Sequence, residues 1–298
     1  MLRFYVSLAF LAIMPSCLFA QEANMNTPFW INRSYFNASC VAYMSNNTGI
    51  TALLTTKKLW SGVKGAPRIN GLAIDYNINN KNFVGFQMWK HQYATLSYTS
   101  VAIPYAFNAI IDNEHRFLLG VTSSFTSTTL DLSRITQPEL LDINAEIPEV
   151  VFFDASFGGS YCYKDVFRFG IFGNNFILNG KVDPTRVINY TNYSLSTFGA
   201  DMSYYKRGNN QRPLSMYFDI LVKSNPFTPI IGEVSARLGK YGSLIGAGYR
   251  SNKDLNVCFQ VGVDQAIEFG YFYTHSFSDL QRFSDGSHQL YLRFAFLK

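Results

Sequence analysis

The chain has 298 residues, of which only 15% are charged and 16% are aromatic, with 27 Phe and 19 Tyr. Soluble domains carry about a quarter charged residues, so an ordinary water-exposed globule is disfavoured, and a net charge of +5 is too slight for a nucleic-acid footprint. Mean hydropathy is near zero because Asn, Ser, Thr and Gly offset apolar residues that are spread along the chain, as a wall with one face in lipid and one polar face requires.

Residues 1–20 read as a signal peptide: Arg3 gives the positive start, Phe4 to Met14 the apolar centre, and Leu18-Phe19-Ala20 a cleavage site before Gln21. Met14-Pro15-Ser16 is a poor lipobox, which favours this over lipidation at Cys17. The apolar run is too short for a stable membrane helix, and no later stretch approaches ~18 consecutive apolar residues. Loss of Arg3 with the signal takes the formal charge from +5 to +4, which suits a surface beside anionic headgroups. Cys40, Cys162 and Cys258 would remain, with neither disulfide-framework nor metal-ligand spacing.

Residues 21–48 lack a clean period and read as an irregular periplasmic segment, a plug or a latch. Residues 36–45 alternate only weakly and are left out of the sheet. From Gly49 the chain changes to about fourteen alternating segments, near 49–60, 68–78, 82–91, 94–110, 115–127, 150–163, 166–177, 195–206, 213–223, 228–239, 243–250, 254–264, 266–275 and 287–297. Their lengths suit tilted membrane-crossing strands of ~9–11 residues, some running longer. The connections sort into two sets. Those at 79–81, 112–114, 164–165, 207–212, 240–242 and 265 are mostly tight and rich in turn formers. The longest, 61–67, 128–149, 179–194 and 276–286, all fall in the other set, as short periplasmic turns and longer outer loops demand.

Alternate residues lie on opposite faces of a strand. Ile267, Phe269, Tyr271 and Tyr273, then Leu290, Leu292, Phe294 and Phe296, make the greasy face of the last two strands. The polar face carries Glu268, Thr274, Gln289 and Arg293. The same alternation turns Asp75, Asp154, Arg168, Asp201, Asp219, Glu233, Arg237 and Arg250 inward, where they avoid the ~2–4 kcal/mol cost of a cation at the lipid midplane. The expectation is an all-β, transmembrane antiparallel barrel of about 14 strands over 49–298, preceded by the 21–48 segment and the 1–20 signal, in the outer membrane.

Catalysis finds little support. Ser287 and His288 are neighbours in a strand and point to opposite faces, so they cannot form a nucleophile–base pair. His275 precedes Ser276, Ser278 and Asp279 but lacks a third element at fixed spacing. His91 and His115 sit at strand ends near aromatics, as in an interfacial belt. Residues 128–149 include apolar stretches compatible with a short helix over the outer mouth, read as a capping loop. No cofactor or metal site is expected.

Several motifs resemble the PorP/SprF family of Bacteroidetes outer-membrane proteins. Gly270-Tyr271-Phe272-Tyr273, Ser278-Asp279-Leu280 and Gly286-Ser287-His288-Gln289-Leu290 are similar to the family's GYSYD, S-x-L and GSHE ending. Trp60-Ser61-Gly62-Val63-Lys64-Gly65-Ala66-Pro67 resembles its W-x-G-x-x-GAP, and Pro104-Tyr105-Ala106-Phe107 its YAY strand. Asn32 and Asn37 keep the step of its NP…NPA element, with Arg33 and Ala38 replacing both prolines. Thr274 and Gln289 replace the acids of the ending, the pattern of a divergent paralogue.

The resemblance implies a non-enzymatic outer-membrane component of the type IX secretion and gliding machinery. Its implied partners are periplasmic ring and peptidoglycan-binding proteins and a secreted adhesin-type client, with membrane lipid and lipopolysaccharide around the wall. The long loops containing Trp60, Gly62, Gly65, Ala66, Pro67, Ser278, Leu280, Gly286, Ser287 and His288 are the candidate contacts. The alternatives are a passive pore or carrier for small or hydrophobic solutes and, behind it, a surface lipid hydrolase using His275.

Overall fold

Strand β1 (Ile50–Lys58) pairs with β2 (Arg68–Asn77) on one side and with the last strand, β14 (Ser287–Phe296), on the other, so the sheet has no edge. Between them run β3 (Asn82–Tyr93), β4 (Leu96–Ile110), β5 (His115–Leu130), β6 (Val150–Tyr163) and β7 (Phe167–Asn179). The circle continues through β8 (Thr197–Lys206), β9 (Ser215–Asn225), β10 (Thr228–Lys240), β11 (Ser243–Arg250), β12 (Asp254–Val263) and β13 (Ile267–Ser276). Every neighbour is antiparallel and consecutive in the chain, giving a closed 14-strand barrel. The computed structural model describes residues 28–41, 49–94, 96–130, 150–179, 196–208, 214–225, 228–240, 242–263, 266–278 and 282–296. Residues 1–20, read above as a signal, and 131–149 of the 128–149 capping loop lie outside them, and 128–130 belong to β5.

Closure follows from the alternation. In β1, Thr51, Leu53, Thr55 and Lys57 are buried inside, while Ile50, Leu54, Thr56 and Lys58 are exposed on the outside. Large apolar side chains cover the outer wall, among them Ile103, Phe125, Phe157, Ile171, Phe259 and Phe269. In water such a belt would be untenable; in hydrocarbon it is the solvent-facing surface. The two ends differ as the connections required. Tight turns such as 78–81 and 111–114 close the end that also holds the first residue of β1 and the last of β14, and the longest loops lie at the other. The short-turn end is therefore periplasmic.

Among the described residues, the 21–48 segment adds no strand. Its described part, 28–41, contains a short 3-10 turn, Arg33–Tyr35, becomes helical at Cys40 and Val41, and lies inside the barrel. The polar interior expected from the alternation is consequently incomplete: much of the lumen is a packed core. Trp30 and Ile31 pack with Leu53, Ala73, Leu244, Cys258, Phe272 and Tyr291. Phe29 and Phe36 meet Phe172 and Leu221. Val41 meets Phe83, Ala106, Leu118 and Cys162. Cys40, Cys162 and Cys258 are all buried as free thiols.

Candidate functional site

Apolar packing alone would let residues 28–41 slide, because dispersion has no direction; the polar contacts fix them. The Asn32 side chain folds back on its own turn, its Oδ1 accepting from Ser34 Oγ at 2.7 Å and Tyr35 N at 3.3 Å. Asn37 does the same with Ser39, accepting from its N at 3.1 Å and its Oγ at 2.7 Å. Side-chain amides that satisfy local backbone in this way stabilise a compact irregular segment where no ladder is available. Asn37 also donates outward to Asp201 Oδ2 at 2.9 Å, so one residue shapes the segment and ties it to the wall.

Arginine–carboxylate pairs ring the segment. Arg33 Nη2 donates to Asp219 Oδ1 at 2.7 Å, and the other oxygen of Asp219 takes Arg237. Both sides of the Arg33 pair are almost wholly buried. Arg237 lies over the Trp30 ring, 4.0 Å from its centroid. Arg168 pairs with Asp201 and donates to Cys40 Sγ at 3.0 Å. Arg250 pairs with Glu233 at 2.7 Å, and that carboxylate also accepts from Phe29 N at 3.3 Å. Arg293 pairs with Glu268 at 2.7 Å and donates to Ile31 O at 2.7 Å. Asn174 donates to Phe36 O at 2.7 Å and Gln87 to Ser34 Oγ at 2.9 Å. Charges can be buried this way because each is paired and hydrogen-bonded.

Three glycines make the room. A Cβ on Gly120 would stand 2.3 Å from Ala38 C and Ser39 N, and one on Gly158 would stand 2.0 Å from Asn37 Oδ1. Gly170 is equally closed, with Asn37 Nδ2 2.6 Å from where its Cβ would be. Gly120 and Gly158 are register partners across β5 and β6, so together with Gly170 they form a shallow seat for residues 37–39. The sequence offers residues 21–48 as a plug or a latch but does not single out these glycines, and Arg33 stands there only as a replaced proline.

A second cluster stands at the outer rim. Trp60 has φ 47°, and Gly62, Gly65 and Gly286 have φ of 91°, 75° and 91°. Ser61 N donates to Gly286 O at 2.7 Å, Asp285 N to Ser61 O at 2.8 Å, and Trp60 N to Ser287 Oγ at 3.1 Å. Pro67 O accepts from Leu59 N at 2.9 Å, and Gly65 O from Ala94 N at 3.2 Å. Ala66 N closes the loop's own turn on Val63 O at 3.3 Å. The Trp–Gly–Gly-Ala-Pro loop and the Gly-Ser-His loop, far apart in sequence, thus form one hydrogen-bonded unit across the β1–β14 seam.

The other singled-out residues scatter. Tyr271 and His288 meet on the outer face, Oη to Nδ1 2.7 Å, and Tyr273 Oη donates to Asp285 O at 3.1 Å. Ser278 Oγ lies 2.9 Å from Ser276 Oγ. Tyr105 is distant, bonded to Asn82 Oδ1 at 2.5 Å, and Leu280 lies outside the described residues. His275 packs edge-on against Phe277, with Tyr273 Oη 3.5 Å from its Nδ1; Ser287 faces the lumen instead. His115 stacks outside on Tyr161, whereas His91 turns inward and is buried beside Tyr93. Among the described residues no group of His, Cys, Asp or Glu could hold a metal ion.

A family model for the type IX secretion system membrane protein PorP/SprF matches residues 19–294. The chain belongs to the PorP/SprF family. It is therefore an outer-membrane component of a secretion system and not an enzyme. No curated protein matches the sequence. The fold is similar to that of several solved outer-membrane barrels. The CymD monoaromatic hydrocarbon channel superposes with TM-score 0.54 at 12% identity, over 93% of this chain and 95% of that one. The Acinetobacter baumannii outer membrane protein Omp33 gives 0.53 at 7% identity, over 85% and 100%. The Ralstonia pickettii toluene transporter TbuX gives 0.52 at 10% identity, over 87% and 92%. At such identities the likeness is one of fold alone. In this PorP/SprF chain Arg33 spans the gap between segment and wall, pairing with Asp219.

Proposed function

We propose that this PorP/SprF protein is a closed scaffold of the type IX machinery. It holds a secreted adhesin-type client at its outer rim and contacts periplasmic ring and peptidoglycan-binding components at its short-turn end, assisting export or surface anchoring of the client. The observation that carries the reading is the filled lumen: residues 28–41, locked by Arg33 to Asp219 and by Asn37 to Asp201, leave a client the surface rather than the bore. The joined Trp60–Gly286 loops supply a firm outward platform, and loops on a rigid wall are where recognition varies without cost to the fold. The competing reading, a passive pore or carrier for small or hydrophobic solutes, draws on the fold shared with a hydrocarbon channel and a toluene transporter, and requires the segment to leave.

Affinity capture from detergent-solubilised envelopes tests the scaffold. It is expected to recover periplasmic secretion components together with a secreted adhesin-type protein, and Gly62→Val with Gly286→Val is expected to lose the adhesin while keeping the periplasmic set. Recovery of neither class would overturn the proposal.

A further inference from the structure

Lys58 and Arg68 stand directly opposite each other across β1 and β2, both exposed on the outer face near the outer end of the barrel. Lys90 lies on the same face of β3, diagonal to Arg68, whose direct partner is Gln92. Lys64 is exposed in the loop above. Like charges directly opposed across an antiparallel pair repel, and cations close to hydrocarbon are costly. Among the described residues none of the four enters an ion pair. Asp285, the exposed acid of the adjoining loop, lies with its carboxylate against Gly62 and joins no ion pair either.

The cations do not stand on a flat wall. Lys58, Lys64, Arg68 and Gln92 line a polar pocket of about 370 Å³. One step towards the membrane centre, Thr56 Oγ1 donates to Asn70 Oδ1 at 2.8 Å on the same face. Next comes a groove of about 480 Å³, walled by Leu54, Leu72, Met88, Phe269, Leu290 and Leu292, with Lys90 also lining it. Along one stripe the wall thus changes from cationic to neutral polar to apolar.

We infer that this stripe binds a phosphate-bearing lipid of the outer leaflet, of the lipid A type, with its phosphate among Lys58, Lys64, Arg68 and Lys90 and an acyl chain in the groove. An anion between Lys58 and Arg68 converts their repulsion into two charge-assisted hydrogen bonds. A free phosphate would make no use of the groove, and an uncharged lipid would make no use of the cations; only a ligand carrying both fits the whole stripe. The inference rests on the outer wall and the adjoining rim loop that carries Lys64, and is independent of what fills the lumen.

Native mass spectrometry of the full chain folded in detergent tests it, with phosphorylated lipid A, dephosphorylated lipid A and inorganic phosphate as separate probes. Phosphorylated lipid A is expected to stay bound one to one and at least about tenfold more tightly than the dephosphorylated form. Lys58→Gln/Arg68→Gln/Lys90→Gln is expected to abolish that difference, whereas Lys206→Gln/Lys240→Gln at the opposite end leaves it unchanged. Heat-modifiable gel migration reports folding. Should the triple variant not fold, Lys64→Gln, in a loop, is expected to weaken phosphorylated lipid A by about threefold. Equal binding of the two lipid A forms, equal binding by wild type and the folded variants, or full displacement of the lipid by inorganic phosphate would each overturn the inference.

Discussion

Arg33 shows how one side chain decides what a lumen does. Its guanidinium is buried against Asp219 and Ser203, with its carboxylate partner shared by Arg237. Removing one partner of a buried ion pair ordinarily costs about 3–5 kcal/mol. Here Arg237 remains to neutralise Asp219, so Arg33→Ala is expected to cost less, about 1–3 kcal/mol, and to act mainly on the seating of residues 28–41. Cys40 reports this, because its buried thiol is inert while the segment is seated. In a Cys162→Ala/Cys258→Ala background, maleimide labelling of Cys40 in the folded barrel is expected to be much faster with Arg33→Ala than with Arg33. Equal labelling rates would show that the ion pair does not hold the segment.

Among elements, β5, β6 and β7 bring Gly120, Gly158 and Gly170 beneath Asn37–Ser39, where a side chain has no space. Gly120→Val and Gly158→Val are expected to displace the segment while the wall still closes, since valine suits a strand and the clash is with residues 37–39. Overpacking of this kind costs about 1–3 kcal/mol or more. Heat-modifiable migration should persist and Cys40 should become reactive; unchanged Cys40 protection would contradict the seat. The strands themselves were legible because period-2 alternation and turn residues report directly which face meets lipid. β6 and β11 fall at the segments read from the alternation, 150–163 and 243–250. Residues 21–48 were offered only as a plug or a latch, and their contacts in the lumen were not legible, since alternation says which side a residue faces and nothing about what it meets there. Arg33 and Asn37 carry no period, and the wall carboxylates they meet, Asp219 and Asp201, lie far away in sequence. The rim was half-legible: the motifs named both loops, but only closure of β1 on β14 brings Ser61 to Gly286.

At the scale of the whole molecule, the barrel carries two apolar surfaces for two reasons. The outer one exists because hydrocarbon is the solvent there. The inner one exists because Phe29, Trp30, Ile31, Phe36 and Val41 are buried within, each worth about 1.5–3 kcal/mol over exposure. In the proposed scaffold, that inner core with its arginine pairs favours a closed state. Single-channel recording in planar bilayers tests closure most directly. The wild-type barrel is expected to be silent, and the same barrel lacking residues 28–41 is expected to conduct. A steady, ohmic open state in the wild type would contradict the account.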